Sequence, residues 1–212
     1  MIEFFFDCSS PWTWLAFHNI QPILKELDTE IRWRPVLLGG IFSAVNPSVK
    51  EFRKSGVPAK KAYVIKDLQD WARHANLKII FPPSVFPVNS VKVMRGCLWL
   101  ESKGLLVPFA QAAFEAYWGR NEDISSDTVL VELCKYVGID PIHFFEGIAR
   151  DDIRQKLKAN TDEVIARGGF GSPTIFVGGD DMYFGNDRLA LVRDAVLRLQ
   201  QRVSAHFLLE KD

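Results

Sequence analysis

The chain begins on an almost unbroken apolar run of strand length, Ile2-Glu3-Phe4-Phe5-Phe6. Such a run suits a strand covered on both faces better than one with a wet side. From 11 to 27 the period changes. Ala16, Ile20, Ile23 and Leu27 recur every three or four positions, which predicts a helix with one buried side. Pro22 lies inside this helix and is expected to kink it. Residues 30–36 alternate around Ile31 and Trp33, and Pro35 places this second strand at a sheet edge. Strand, helix and strand at this spacing form a βαβ unit, so the two strands should run parallel.

Residues 37–58 interrupt the periodicity with Gly39-Gly40, Asn46-Pro47 and Pro58 but keep Ile41, Phe42, Val45 and Phe52. This reads as a long loop that is ordered and packed. From 59 to 168 the pattern is helical almost throughout. Val64, Leu68, Trp71 and Ala75 mark a first apolar stripe. Residues 76–88, with Pro82, Pro83, Pro87, Phe81 and Phe86, are a loop. Helices then fit 89–102, 106–118, 125–137, 141–149 and 151–167, with breaks at Gly104, Gly119, Gly138 and Pro141. Residues 173–178 form a third strand and 182–184 can pair back on it. The last helix, 187–207, is faced by Leu189, Val192, Val196 and Leu199. The order β-α-β, helical block, β-β-α predicts an α/β chain: a thioredoxin-like fold with a large all-helical insertion. Residues 1–58 and 169–212 would form one domain and 59–168 the inserted one.

Charge and cysteine usage narrow the function. The 26 basic and 26 acidic residues cancel, which gives no electrostatic case for nucleic acid or an anionic membrane. No stretch approaches the roughly 20 apolar residues of a spanning helix. Cys8, Cys97 and Cys134 form no C-x-x-C pair, and the four histidines show no metal-ligand spacing. Both facts argue against a disulfide framework, a dithiol redox centre and a metal site. Unpaired thiols and no basic-then-apolar leader lead us to expect a soluble cytoplasmic protein.

The candidate chemistry sits where the first strand meets the first helix. Ser10 and Pro11 occupy the N-cap and first helical positions. A helix N-terminus presents free N–H groups and partial positive charge to an anion. On these residues Ser10 is either a simple cap, with Ser9 as the alternative, or the group that faces a ligand thiol. A hydroxyl donating to sulfur favours the thiolate, and serine cannot form a disulfide with that ligand. Far downstream, Ser172-Pro173 before an apolar strand predicts a cis bond that exposes the Ser172 backbone to a passing peptide. Gly185-Asn186-Asp187-Arg188-Leu189 then caps the last helix. Trp12 and Phe42 would wall an aromatic substrate, and Lys60 or Arg188 could hold its carboxylate. Cys8 reads as a catalytic thiol or as a small apolar contact, and Cys97 and Cys134 read as core.

Several segments carry a family resemblance. They are Phe-Asp-x-x-Ser-Pro-Trp-Thr-Trp-Leu-Ala (6–16), Leu-Leu-Gly-Gly-Ile-Phe (37–42), Asn46-Pro47, Phe86-Pro87-Val88-Asn89, Ala116-Tyr117-Trp118, Thr161-Asp162-Glu163, Arg-Gly-Gly-Phe-Gly-Ser-Pro-Thr (167–174) and Phe-Gly-Asn-Asp-Arg-Leu (184–189). In this order the chain resembles, over essentially its full length, the 2-hydroxychromene-2-carboxylate isomerases and kappa-class glutathione transferases of the DsbA-like branch of the thioredoxin superfamily. The resemblance implies glutathione as cofactor, with Ser10 at its sulfur. It implies the Ser172 backbone, beside Pro173, on the cysteinyl part, and Asn186 and Asp187 at the γ-glutamyl end. Asn46 and Lys60 match further glutathione-binding positions, with Lys61 the alternative if the alignment slips by one. It also implies a homodimer and a small aromatic substrate. In an isomerase the thiolate adds, permits rotation and leaves; in a transferase, the alternative reading, it stays on an electrophile.

Overall fold

The computed structural model describes residues 1–209, so the end of the 169–212 segment lies outside the described residues. Four strands, β1 (Ile2–Phe6), β2 (Ile31–Pro35), β3 (Thr174–Val177) and β4 (Asp181–Phe184), form one sheet in the order β2-β1-β3-β4. β1 and β2 are parallel, with Ile2 opposite Ile31 and Phe6 opposite Pro35. β3 is antiparallel to both β1 and β4. β2 is therefore an edge strand, as its alternation and Pro35 suggested.

The apolar run of β1 follows from burial on both sides. Phe4 and Phe6 face the main core and meet Phe17 of α1 (Pro11–Glu26). Phe5 points the other way, into a smaller cluster with Val36, Ile41, Val164 and Phe176. Glu3 shares the Phe5 face, because side chains alternate along a strand. Its carboxylate accepts from Arg34 and Arg167, each at 2.7 Å. Arg34 also pairs with Glu163 and donates from Nε to Asn160 Oδ1 at 3.0 Å. Charge is tolerated on this face because each group has a partner.

Between β2 and β3 the chain is helical: α2 (Leu38–Val45), α3 (Ser48–Ser55), α4 (Pro58–His74), α5 (Val91–Glu101), α6 (Leu106–Phe114), α7 (Asp127–Tyr136), α8 (Pro141–Ala149) and α9 (Asp151–Ala166). A short 3₁₀ turn, Asn186–Arg188, and α10 (Leu189–Leu209) follow β4. This is the expected thioredoxin-like order with a large helical insertion. Three expectations need correction. Residues 37–58 are not a loop but hold α2 and α3; Leu38 and Ile41 are buried, and burial overrides the poor helix propensity of Gly39-Gly40. Gly40 also lets α2 lie against α9, since a Cβ there would sit 3.4 Å from Thr161 Cγ2. Val64 is exposed, and Leu68 and Ala72 carry the buried side of α4 instead. The helix expected over 106–118 ends at Phe114 and continues as a π turn, Glu115–Gly119.

That turn ties the helical block to the sheet. Trp118 Nε1 donates to Cys8 O at 2.9 Å, and Tyr117 Oη donates to Val85 O at 2.8 Å. Gly104 and Gly138, at φ 69° and 74°, close helices in the left-handed conformation that glycine adopts without steric cost. Ser172–Pro173 is cis, as are Phe81–Pro82 and Phe86–Pro87. Among the described residues no helix is long and apolar enough to cross a membrane.

Candidate active site

β1 stops at Phe6, and four residues turn the chain into α1. Ser10 is the N-cap, extended at φ −116° and ψ 124°, with Oγ accepting the Thr13 N–H at 3.2 Å. Trp14 N–H is taken by Ser10 O at 3.2 Å, and Pro11 has no N–H to give. Among the described residues, Trp12 N–H is the first-turn donor left without a partner. The helix terminus thus offers an anion one backbone donor rather than a ring of them.

The Ser10 hydroxyl donates to Ser172 O at 3.3 Å, joining the N-cap to the residue before cis Pro173. Ser172 Oγ accepts the Asp7 N–H at 3.1 Å and shares a hydrogen bond with Thr13 Oγ1 at 2.8 Å. Ser10, Thr13 and Ser172 are all buried. Positions 10 and 13, where two cysteines would make a dithiol centre, hold hydroxyls knitted into the cis-proline turn. No disulfide chemistry is possible there. The Ser172 N–H has no partner among the described residues, so the turn keeps a free backbone donor.

Sequence reasoning missed Asp7. It is 1% exposed and closes β1. Its Oδ1 accepts Ser9 N–H at 2.9 Å and its Oδ2 accepts Leu38 N–H at 2.8 Å. Burial raises its pKa above the usual carboxylate value, against the opposing pull of these N–H groups and of the Ser90 and Ser9 hydroxyls. One carboxylate therefore holds together the β1–α1 turn, the start of α2 and the approach to α5. The available signal was an acid just after an apolar strand, two residues before Ser9.

Those same segments wall a cleft of about 320 Å³. It is lined by Asp7 and Ser9, by Leu37–Gly40 and Phe42, and by Phe86–Val91. Phe42 lines it as anticipated. Trp12 packs against the main core and is not in the cleft wall. Phe86 and Asn89 are wall residues that the sequence reading left without a role.

The remaining expected residues lie around this centre. Asn186 is 4% exposed, and its Oδ1 accepts from Asn19 Nδ2 of α1 at 2.9 Å. Its Nδ2 is shut off from solvent and has no hydrogen-bond partner among the described residues. Asp187 and Arg188 pair with each other at 3.1 Å, which engages the cation expected to await a carboxylate. Asn46 Nδ2 donates to Phe170 O at 3.1 Å, and its Oδ1 accepts from Ser48 at 2.7 Å, so its amide braces the turn before Ser172. Lys60 is exposed on the first turn of α4 and does not line the cleft.

The thiols play no part in this arrangement. Burial, the neighbouring Cys97 thiol and the Asp7 charge push Cys8 well above the ordinary thiol range. Burial and Asp140 push Cys134 up to about 11. Both stay protonated at neutral pH and are poor nucleophiles. Among the described residues no group of His, Cys, Asp and Glu is arranged to hold a metal ion.

A family model described as a DSBA-like thioredoxin domain matches residues 1–197. The 2-hydroxychromene-2-carboxylate isomerase of Pseudomonas sp. (strain C18) is 29% identical over 201 residues, spanning 92% of this chain and 90% of that protein. Glutathione S-transferase kappa 1 of Homo sapiens is 26% identical over 203 residues, spanning 90% and 88%. A solved 2-hydroxychromene-2-carboxylate isomerase superposes with a TM-score of 0.82 at 25% identity, covering 96% of this chain and 98% of that one.

Proposed function

The chain belongs to the DSBA-like thioredoxin domain family, and we propose that it is a glutathione-dependent isomerase of 2-hydroxychromene-2-carboxylate-type aromatic substrates. The observation that carries this reading is the Ser10–Ser172 junction: a buried hydroxyl, in a site without redox cysteines, bonded to the backbone of a cis-proline turn. Similarity to isomerases and to a kappa-class transferase over nine-tenths of the chain supports it.

The residues present fit glutathione. Asn186 Nδ2 is a buried donor without an acceptor, close to α1, as a site for the γ-glutamyl carboxylate requires. The unpaired Ser172 N–H, with its C=O, suits the antiparallel pairing of a short peptide backbone. Asp187 would meet the α-amino group, and Asn46 and Lys60 would lie at the outer end. Bound glutathione supplies a thiol that adds reversibly to an electrophilic carbon. Ser10 then has to release Ser172 O and turn its one proton towards sulfur, and Trp12 N–H adds a second donor. Both hydrogen bonds favour the thiolate over the thiol. Phe42 and Phe86 would present ring surface to an aromatic substrate, while Trp12 packs against the main core.

Two measurements test the reading. Calorimetric titration should show glutathione binding to the purified chain. With a hydroxychromene carboxylate, the absorption spectrum should change while free glutathione stays constant. Consumption of glutathione by a halogenated nitroaromatic, without isomerisation, would favour the kappa-like transferase reading instead. Absence of glutathione binding would defeat both.

A further inference from the structure

Two buried side-chain nitrogens lack a hydrogen-bond partner among the described residues, Asn186 Nδ2 and Arg95 Nε. The first falls within the site just described. The second lies on α5, whose first residue, Val91, lines the cleft. An unsatisfied buried donor in a native fold calls for an explanation, and a missing ligand is one of the few available.

Arg95 is half-buried, yet it makes no ion pair and no hydrogen bond among the described residues. Its electrostatic neighbour is another cation, Arg154 on α9, which together with burial lowers its pKa. Arg154 in turn has only Asp151, itself largely exposed, at 3.8 Å. Among the described residues no carboxylate offsets the Arg95 charge. By contrast, Arg34, Arg120, Arg150 and Arg167 all have close acidic partners.

The placement of Arg95 gives this unpaired charge a use. Val91 lines the cleft, and Arg95 follows it by four residues on the same helix. Residues four apart share a helix face, and long helical side chains lean back towards the N-terminus. Arg95 is not itself a wall residue; it stands one helical turn beyond Val91 on the same helix face. The described wall residues include no lysine or arginine, and the one charged member, Asp7, is already bonded to Leu38, Ser9 and Ser90. A carboxylate-bearing aromatic seated between Phe42 and Phe86 would have an unspent cation one helical turn beyond that wall.

We infer that Arg95 is a specificity-determining residue: its unpaired guanidinium, one helical turn from the cleft wall at Val91, receives the carboxylate of the aromatic second substrate, with Arg154 adding positive field behind it. This rests on the proposed reading of the cleft as the aromatic-substrate site. No covalent step is involved, because Arg95 orients and selects.

The test uses the full chain, with 2-naphthoate and 2-naphthamide as matched unreactive probes in calorimetric titrations. The wild type should prefer the carboxylate by about tenfold to a hundredfold, the range of a hydrogen bond to a charged group. Arg95→Gln should erase that preference while leaving naphthamide affinity in place. Arg95→Lys should keep part of it, since a point charge lacks the planar fork. Arg154→Gln, at an exposed position, should narrow it a few-fold. A wild type that does not discriminate, or an Arg95→Gln chain that still does, overturns the proposal. If Arg95→Gln does not fold by circular dichroism, an Arg95→Lys chain with unchanged discrimination overturns it equally. Glutathione titration of the wild type separates the two readings. Failure there, with an Arg95-dependent preference intact, removes the glutathione reading and leaves the carboxylate site. Glutathione binding without that preference does the reverse.

Discussion

A serine hydroxyl has one proton to donate, and at Ser10 that proton rests on Ser172 O. Stabilising a thiolate there means exchanging a carbonyl acceptor for a charged one, which is favourable because hydrogen bonds to ionised groups are the stronger. Ser10→Ala should therefore lower turnover about 10²-fold, the low end for a positioned polar group. Loss of the cap should also cost about 1 kcal/mol of stability. Unchanged kcat in that variant would remove Ser10 from the chemistry. Asp7 is the second decisive residue. Asparagine has one oxygen where Asp7 uses two, so Asp7→Asn leaves a buried N–H unpaired and should cost about 1–3 kcal/mol. Because burial raises the Asp7 pKa, the folded state holds this proton more tightly than the unfolded chain. Its contribution is full below the unfolded pKa and declines as pH rises through the folded value. The stability gap between wild type and Asp7→Asn should accordingly narrow as pH rises above the ordinary carboxylate range, as read from urea midpoints.

Among the elements, the helical block is held by close approaches that side-chain periodicity does not announce. Gly147 of α8 lies against α5, where an added Cβ would come within 2.3 Å of Trp99. Gly96 of α5 answers with Phe144 of α8 at 2.7 Å. Alanine is the better helix former by about 1 kcal/mol, so propensity alone favours Gly147→Ala. Packing decides the other way, because a rigid indole must shift. We expect a net loss of about 1–3 kcal/mol in urea unfolding. A stabilised variant would show that Trp99 can move at little cost. The same block reaches the site through Trp118 and Tyr117, which hold Cys8 O and Val85 O. The Ala-Tyr-Trp segment was visible in the sequence as a family marker, but its task, bracing the turn before Ser10 from 110 residues away, was not.

At the scale of the whole molecule, one face of the sheet is closed by charge as well as by apolar packing. Arg34, Arg167, Glu3 and Glu163 link β1 and β2 to α9, and Arg167 also lies over the Phe176 ring at 3.7 Å. Removing one partner of a buried pair strands the other, so Arg34→Met should cost about 3 kcal/mol by thermal or urea unfolding. Burial pushes the Glu163 carboxyl up, but Arg34 and Arg167 outweigh it and hold it below the usual value. Its contribution is thus present above the unfolded pKa and lost as pH falls through the folded one. The wild-type advantage over Arg34→Met should fade in acid, opposite in direction to the Asp7 effect.

The four strands, the first and last helices, the cis Ser172–Pro173 bond and the Ser10 cap could be read from the amino-acid sequence, because each leaves a local pattern of apolar, proline or capping residues. Tertiary structure decided the rest. Gly39-Gly40 became helix because α9 and the second core cluster cover α2. Val64 was left exposed because that side of α4 has nothing packed on it. Asp7 became the clasp of three segments because elements distant in sequence meet there, and among the described residues Arg95 was left without an anion. Hydrophobic periodicity reports which side of an element is buried; it carries no record of which polar atoms are left over once the elements have packed.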